Sequence, residues 1–211
     1  MLTLSCDAGA ARDRAIATAV SAIKRGDLVF LPTESVYAVA TDPFSRRGVA
    51  AIRAAKGQAP GSPLPLMVPS AQTVQGIATG VTATVQSLMQ AFWPGPMTLL
   101  LPSQPSLAWD LPHELPVAVR MPLHPLTLAV LERTGPLIVT AANSVGEAAP
   151  KSLDHAVAQL GECAVVALDV GVLPESVFTS TVIDVTGVTP KVVREGALSI
   201  TQVRELLPDL A

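Results

Sequence analysis

Aromatic residues are scarce in this 211-residue chain: four Phe, two Trp and one Tyr, Tyr37, amount to 3% of it. So few rings exclude an extended platform for stacking nucleobases. Charged residues reach only 15%, below the roughly 25% of an ordinary soluble protein. With 49% hydrophobic residues, that excludes a disordered chain or a long coiled coil. An excess of one sign is also missing, since 14 Lys+Arg against 17 Asp+Glu leave a net charge of −3. The whole chain is therefore not held to nucleic acid by bulk phosphate neutralisation. Two cysteines, Cys6 and Cys163, lack the Cys/His spacing of a zinc site and are read as reduced thiols. Three scattered histidines, His113, His124 and His155, are read as surface or capping residues. No apolar run approaches the ~18 residues that span a bilayer. The opening MLTLS, followed by Asp7, Arg12, Asp13 and Arg14, lacks the basic-then-apolar order of a secretory signal. The expectation is a soluble, cytoplasmic protein without membrane contact, one domain over 1–211.

What is present is an alternation of strand and helix patterns. Residues 12–25 put Ile16, Ala19, Val20 and Ile23 on one helical stripe, with Asp7 as candidate cap and Gly26 as stop. Further helices are expected at 46–55, 71–78, 82–91, 124–134, 153–160 and 199–207. Short apolar runs predict strands at 28–31, 64–68, 97–101, 117–120, 137–141, 164–168, 181–185 and 191–194. The 19 prolines gather at strand ends and loops, where a missing N–H costs least. The pattern predicts a single-domain α/β fold, a twisted open mixed sheet with flanking helices.

Familiar phosphate and nucleophile signatures are absent: no Walker loop, no GxGxxG after a strand, no GxSxG elbow. Instead polar residues recur at predicted strand ends, namely Thr33, Lys56, Thr98, Arg120, Asn143, Ser180 and Arg194. The loop with Thr33, Glu34 and Ser35 follows a strand's carboxyl end, where open α/β sheets place ligands. Cations with hydroxyls and an amide suit a nucleotide and a small polar substrate. Loops at strand ends are polar in any α/β protein, so composition alone goes no further.

The segments PTESVY (32–37), KGQ (56–58) before SPLPLMV (62–68), FWPGPMTLLL (92–101), VAVRMPLHPL (117–126), TAANSVGEAAP (140–150), STVIDVTG (180–187) and VVREGAL (192–198) resemble, in order, those of the YrdC family. That family comprises the bacterial threonylcarbamoyl-AMP synthases. The resemblance covers most of residues 12–200 and implies a concave, positively charged surface. It further implies a nucleotidyltransferase that makes L-threonylcarbamoyladenylate and pyrophosphate from ATP, L-threonine and bicarbonate, for modifying the adenosine beside a tRNA anticodon. By the same resemblance Thr33, Arg120 and Ser180 would hold threonine, and Lys56, Thr98, Asn143 and Arg194 would contact ATP. Magnesium is expected with the triphosphate, with no dedicated protein cage. Downstream threonylcarbamoyl-transferase proteins are expected partners, as is weak binding of RNA, either tRNA or double-stranded RNA. Arg46, Arg47, Arg53 and Lys56 form a basic cluster that reads either as an ordinary charged helix face or as a patch that steers phosphates.

The chain departs from the family pattern inside the implied site. A Lys-x-Arg element reads Lys56-Gly57-Gln58, and a Ser-x-Asn element reads Ala141-Ala142-Asn143. Val145-Gly146, Ser62 and Ala38 stand where the family has Ser-Gly, a lysine and a glycine. Ser144, one position further on, is a candidate stand-in for the lost hydroxyl. Three readings remain open from sequence: the synthase, a non-catalytic nucleotide- or RNA-binding paralogue on the same fold, and an interaction subunit suggested by the mean hydropathy of +0.46.

Overall fold

The alternating segments assemble, in a computed structural model that describes residues 1–175 and 179–211, into one mixed sheet with helices packed on it. In chain order the described elements are β1 (Leu2–Ser5), α1 (Ala10–Lys24), β2 (Val29–Pro32), β3 (Tyr37–Thr41), α2 (Arg46–Ala55) and β4 (Leu66–Met67). Then come α3 (Val74–Ile77), α4 (Ala83–Phe92), β5 (Met97–Leu101), β6 (Val117–Arg120), α5 (Pro125–Thr134) and β7 (Leu137–Ala141). The last are α6 (Leu153–Leu160), β8 (Val166–Asp169), β9 (Thr181–Asp184), β10 (Lys191–Arg194) and α7 (Ile200–Arg204). The ten strands lie in the order β1-β8-β2-β3-β7-β4-β6-β5-β9-β10. Parallel pairs (β1 with β8, β2 with β8, β4 with β6, β5 with β9) mix with antiparallel ones.

Strand alternation sends side chains to two faces with different fates. On one face Phe30, Val39, Leu99, Val119, Ile138 and Ile183 join Val49 and Ile52 of α2, Leu88 of α4 and Ala156 of α6 in the larger core. On the other, Val29, Leu31, Ala40 and Val139 meet Ala19 and Ile23 of α1 and Val130 and Leu131 of α5. α1 and α5 pack on the β2 and β8 side of the sheet. Over β4, β6, β5 and β9 the same face is left as the wall of a concavity. There Ala118 and Arg120 alternate with buried Val117 and Val119, and Val182 alternates with buried Thr181 and Ile183.

Several boundaries differ from the sequence expectation. β1 and β3 were not expected. β3, YAVAT, is buried at every position, so it lacks the alternation that marks a half-exposed strand. The strand expected over 64–68 shrinks to β4 because Pro63 and Pro65 cannot donate to a ladder. The helix expected over 71–78 is a 3-10 turn at Ala71–Thr73 followed by α3; Thr73, Val74 and Gly76 are poor helix formers. Asp7 does not cap α1. Gly9 holds that position, and Asp7 accepts instead from the Ser5 hydroxyl at 2.8 Å. No helix among the described residues is long and apolar enough to cross a membrane.

Candidate active site

The uncovered half-face and the loops at its rim enclose a cavity of about 380 Å³. Five of the seven residues expected at a site line it: Thr33, Thr98, Arg120, Ser180 and Arg194. Parallel pairing of β5 with β9 brings Thr98 beside Ser180, and their hydroxyls lie 2.8 Å apart. Arg194, at the end of β10, donates Nε and Nη2 to the Ser180 carbonyl at 3.1 and 2.8 Å, and Nη2 also to the Ser180 hydroxyl at 3.1 Å. The three residues therefore act as one hydrogen-bonded cluster, although 96 residues of sequence separate its ends in numbering from Thr98 to Arg194.

Thr33 closes its own turn. Its hydroxyl donates to the Val36 carbonyl at 2.7 Å and accepts from the N–H groups of Val36 and Ser35 at 3.1 and 3.3 Å. This local bonding holds Thr33 and Ser35 at the cavity wall. Arg120 ends β6 and donates Nε to the Gly95 carbonyl at 2.9 Å; its Nη2 pairs with the Glu34 carboxylate. Burial, with a smaller contribution from the nearby positive Arg194, pushes the Arg120 pKa down to about 10.

Lys56 and Asn143 stand beside the cavity and not in its lining. The Lys56 ammonium donates to the carbonyls of Ala141 and Asn143 at 2.7 and 2.8 Å and to Asn143 Oδ1 at 3.2 Å. Ala141 belongs to the lining, so this pair backs the wall. Burial lowers the Lys56 pKa. Asn143 Nδ2 donates to the Glu147 carbonyl at 2.8 Å, closing the loop.

Two expectations are corrected. Ser144 does not stand in for the lost hydroxyl at the cavity wall: it is outside the lining, its Oγ donates to the Gln159 carbonyl at 3.0 Å and its N–H to Gln159 Oε1 at 3.0 Å. The basic cluster divides: Arg53 and Lys56 are buried, whereas Arg46 and Arg47 are exposed, with Arg47 paired to Asp27 at 2.7 Å. Gln58, in place of an arginine, leaves its Oε1 buried without a hydrogen-bond partner among the described residues. Sequence reasoning missed Met67, Thr140 and Thr179 in the lining. Thr140 opens the segment TAANSVGEAAP, and its hydroxyl was the signal that could have marked it.

The lining thus offers cations and hydroxyls on an otherwise apolar wall of Met67, Ala118, Val139 and Val182. No carboxylate lines it among the described residues. That donor set suits an anionic, hydroxyl-bearing ligand.

Comparison with known proteins agrees with this chemistry. Residues 21–196 match the family profile Sua5/YciO/YrdC, described as telomere recombination. A Mycobacterium tuberculosis protein provisionally named threonylcarbamoyl-AMP synthase is 39% identical over 207 residues, covering 97% of this chain and 94% of its own. The threonylcarbamoyl-AMP synthase of Pyrococcus abyssi is 30% identical over 197 residues, 92% of this chain and 58% of its own. The crystal structure of P. abyssi Sua5 complexed with L-threonine superposes with a TM-score of 0.88 at 28% identity, covering all of this chain and 62% of that one. This chain thus spans about three fifths of the length of the P. abyssi relative.

Proposed function

The chain belongs to the Sua5/YciO/YrdC family, and from that premise we propose that it is a threonylcarbamoyl-AMP synthase, joining L-threonine, bicarbonate and ATP with release of pyrophosphate. The observation that carries the reading is the pair Arg120 and Arg194 on one concave wall, accompanied by Thr33, Thr98 and Ser180. Two ligands with separate anionic groups need two such cations. Relatives named for this activity support the same reading.

In this reading the threonine carboxylate pairs with Arg120, beside the hydroxyl turn of Thr33 and near Ser180. The triphosphate lies toward Arg194 and Thr98, with Lys56 and Asn143 behind it. The neutral amine of threonine attacks the carbon of bicarbonate; a C–N bond forms, water leaves, and a carbamate results. A carbamate oxygen then attacks the α-phosphorus of ATP, the bond to the β-phosphate oxygen breaks, and pyrophosphate departs. The residues contribute proximity and neutralisation of developing charge more than proton transfer. Apolar neighbours such as Met67, Val139 and Val182 keep water from a labile carbamate. No carboxylate lines the cavity among the described residues, so magnesium would arrive on the triphosphate oxygens, with at most a neutral hydroxyl to add from the protein. Downstream threonylcarbamoyl-transferase proteins would consume the adenylate in tRNA modification.

The test is direct. Purified protein with ATP, L-threonine, bicarbonate and magnesium is expected to release pyrophosphate and form a product with the mass of threonylcarbamoyl-AMP, both dependent on threonine. Folded protein that binds ATP without forming product would instead support the non-catalytic reading, to which Gln58 and Ala141 point.

A further inference from the structure

We infer that Glu34 is a positioning residue that holds the Arg120 guanidinium in its carboxylate-binding pose, and so sets the affinity of the site for an amino-acid carboxylate. The inference rests on the threonine reading of the preceding subsection.

The β2–β3 loop divides its side chains between two directions. Thr33 and Ser35 line the cavity, whereas Glu34 between them does not. Glu34 lies behind the wall, where its carboxylate has two partners from other segments. Oε1 pairs with Arg120 Nη2, and Oε2 accepts from the Leu123 N–H at 3.2 Å. Both side chains are largely shielded, at 14% and 11% exposure for Glu34 and Arg120. The pairing is therefore less screened by water and salt than a surface bridge.

A further hold comes from Gly95. Its carbonyl accepts from Arg120 Nε at 2.9 Å, and its N–H donates to the Met121 carbonyl at 3.0 Å. A side chain at 95 would collide with the Phe92 carbonyl oxygen, so the turn that presents this acceptor requires glycine. Nε and Nη2 are thus engaged by Gly95 and Glu34, while Nη1 has no protein partner among the described residues. A forked cation fixed on one side and free on the other is preorganised for a second carboxylate.

Charge reinforces the geometry. Glu34 is the one carboxylate within ion-pair distance of Arg120 among the described residues. Arg194 is close enough to disfavour the charged form of Arg120. Without Glu34, two arginines would share the cavity with no fixed negative charge opposing Arg120. Its guanidinium would then be free to turn from the pose that receives threonine.

The experiment measures initial rates of pyrophosphate release for wild type, Glu34→Gln, Glu34→Asp and Leu123→Pro. Threonine is varied at saturating ATP, then ATP at saturating threonine. Glu34→Gln is expected to raise the threonine KM about tenfold or more, the effect of one charge-assisted hydrogen bond, and to leave the ATP KM within about twofold. Glu34→Asp retains the charge and is expected to recover part of the loss. Leu123→Pro removes the loop tie but keeps the carboxylate, and is expected to stay near wild type. An unchanged threonine KM in Glu34→Gln would overturn the inference. So would equal rises in both KM values, or a Leu123→Pro effect as large as that of Glu34→Gln. If Glu34→Gln does not fold, a threonine KM for Glu34→Asp equal to wild type overturns it, and a raised one supports it. Wild type without threonine-dependent turnover would overturn the synthase reading alone, because calorimetric titration with L-threonine reads the Glu34 effect without catalysis.

Discussion

Lys56 holds Asn143 by two hydrogen bonds, to its carbonyl at 2.8 Å and to its Oδ1 at 3.2 Å, across 87 residues of chain. A third bond to the Ala141 carbonyl at 2.7 Å uses the remaining N–H of the ammonium. Lys56 is only 7% exposed and has no carboxylate within ion-pair distance among the described residues. Its charge is therefore compensated by carbonyl dipoles alone, which leaves field to spare for an arriving anion.

Lys56→Met keeps the length of the stem but removes the charge and strands the Ala141 and Asn143 carbonyls. Each lost charge-assisted bond is worth about 1.5–3 kcal/mol. The expected outcome is a rise of at least tenfold in the ATP KM, a smaller change in the threonine KM and a lower melting temperature. Steady-state kinetics with thermal melting check it. A lower melting temperature with both KM values unchanged would make Lys56 a purely structural residue.

Two of the departures from the family pattern, Gln58 and Ala141, fall at or near this site. Ala141 lines the cavity without a hydroxyl, and half-buried Gln58 leaves its Oε1 unpartnered among the described residues. The double variant Gln58→Arg with Ala141→Ser is expected to raise kcat/KM for pyrophosphate release by about tenfold or more, from one added charge-assisted hydrogen bond alone. A rate equal to wild type would mean that this site has compensated elsewhere.

Most helices were legible because their signals are local. α2 and α6 have the expected bounds, 46–55 and 153–160, set by amphipathic spacing and by serine caps at Ser45 and Ser152. β5, β6 and β7 were legible as short apolar runs bounded by proline, glycine or a charged residue. β3 was not, since a strand buried on both faces carries no period-two pattern. Of the site, the residue types were readable and the meeting of Thr98 with Ser180 was not. That contact follows from a parallel pairing of β5 with β9, and nothing local encodes which distant strand is the neighbour. Glu34 was visible in the loop, but its partner Arg120 could be assigned only from the fold.

Arg53 tests the framework around the site. From α2 it donates Nη1 to Asp110 Oδ2 and Nη2 to the Asp110 carbonyl, both at 2.8 Å, and Nε and Nη2 to the Ser62 carbonyl at 3.1 and 3.0 Å. One buried side chain thereby pins two long loops. Arg53→Met is expected to cost about 1–3 kcal/mol, a fall of several degrees in melting temperature for a chain of this size. Asp110 is 47% exposed, so Asp110→Asn, which leaves the backbone acceptor in place, is expected to cost less. The order of the two melting temperatures is the measurement, and a reversed order would show that the carboxylate carries the pairing.

The lowered pKa of Arg120, about 10, predicts how carboxylate binding depends on pH. Below that value the guanidinium is charged, so affinity is expected to be flat between about pH 6 and pH 9 and to fall only above about pH 10, later still to the extent that the paired Glu34 carboxylate favours the charged form. Threonine itself obscures this, since its amine titrates in the same range. The analogue 2,3-dihydroxybutyrate, with a hydroxyl in place of the amine, removes that ambiguity. Folding runs the other way. The ordinary arginine value lies higher, so above about pH 10 the unfolded chain binds more protons at this site than the folded one. Stability from this group therefore rises with pH across that window, and loss of binding there is not loss of fold on its account. Because the positive charge of Arg194 contributes to the shift, Arg194→Gln is expected to move the fall to higher pH. Calorimetric titration at a series of pH values, with circular dichroism on the same samples, measures both. A fall in binding centred well below pH 9, or a midpoint that ignores Arg194→Gln, would assign the carboxylate to another group.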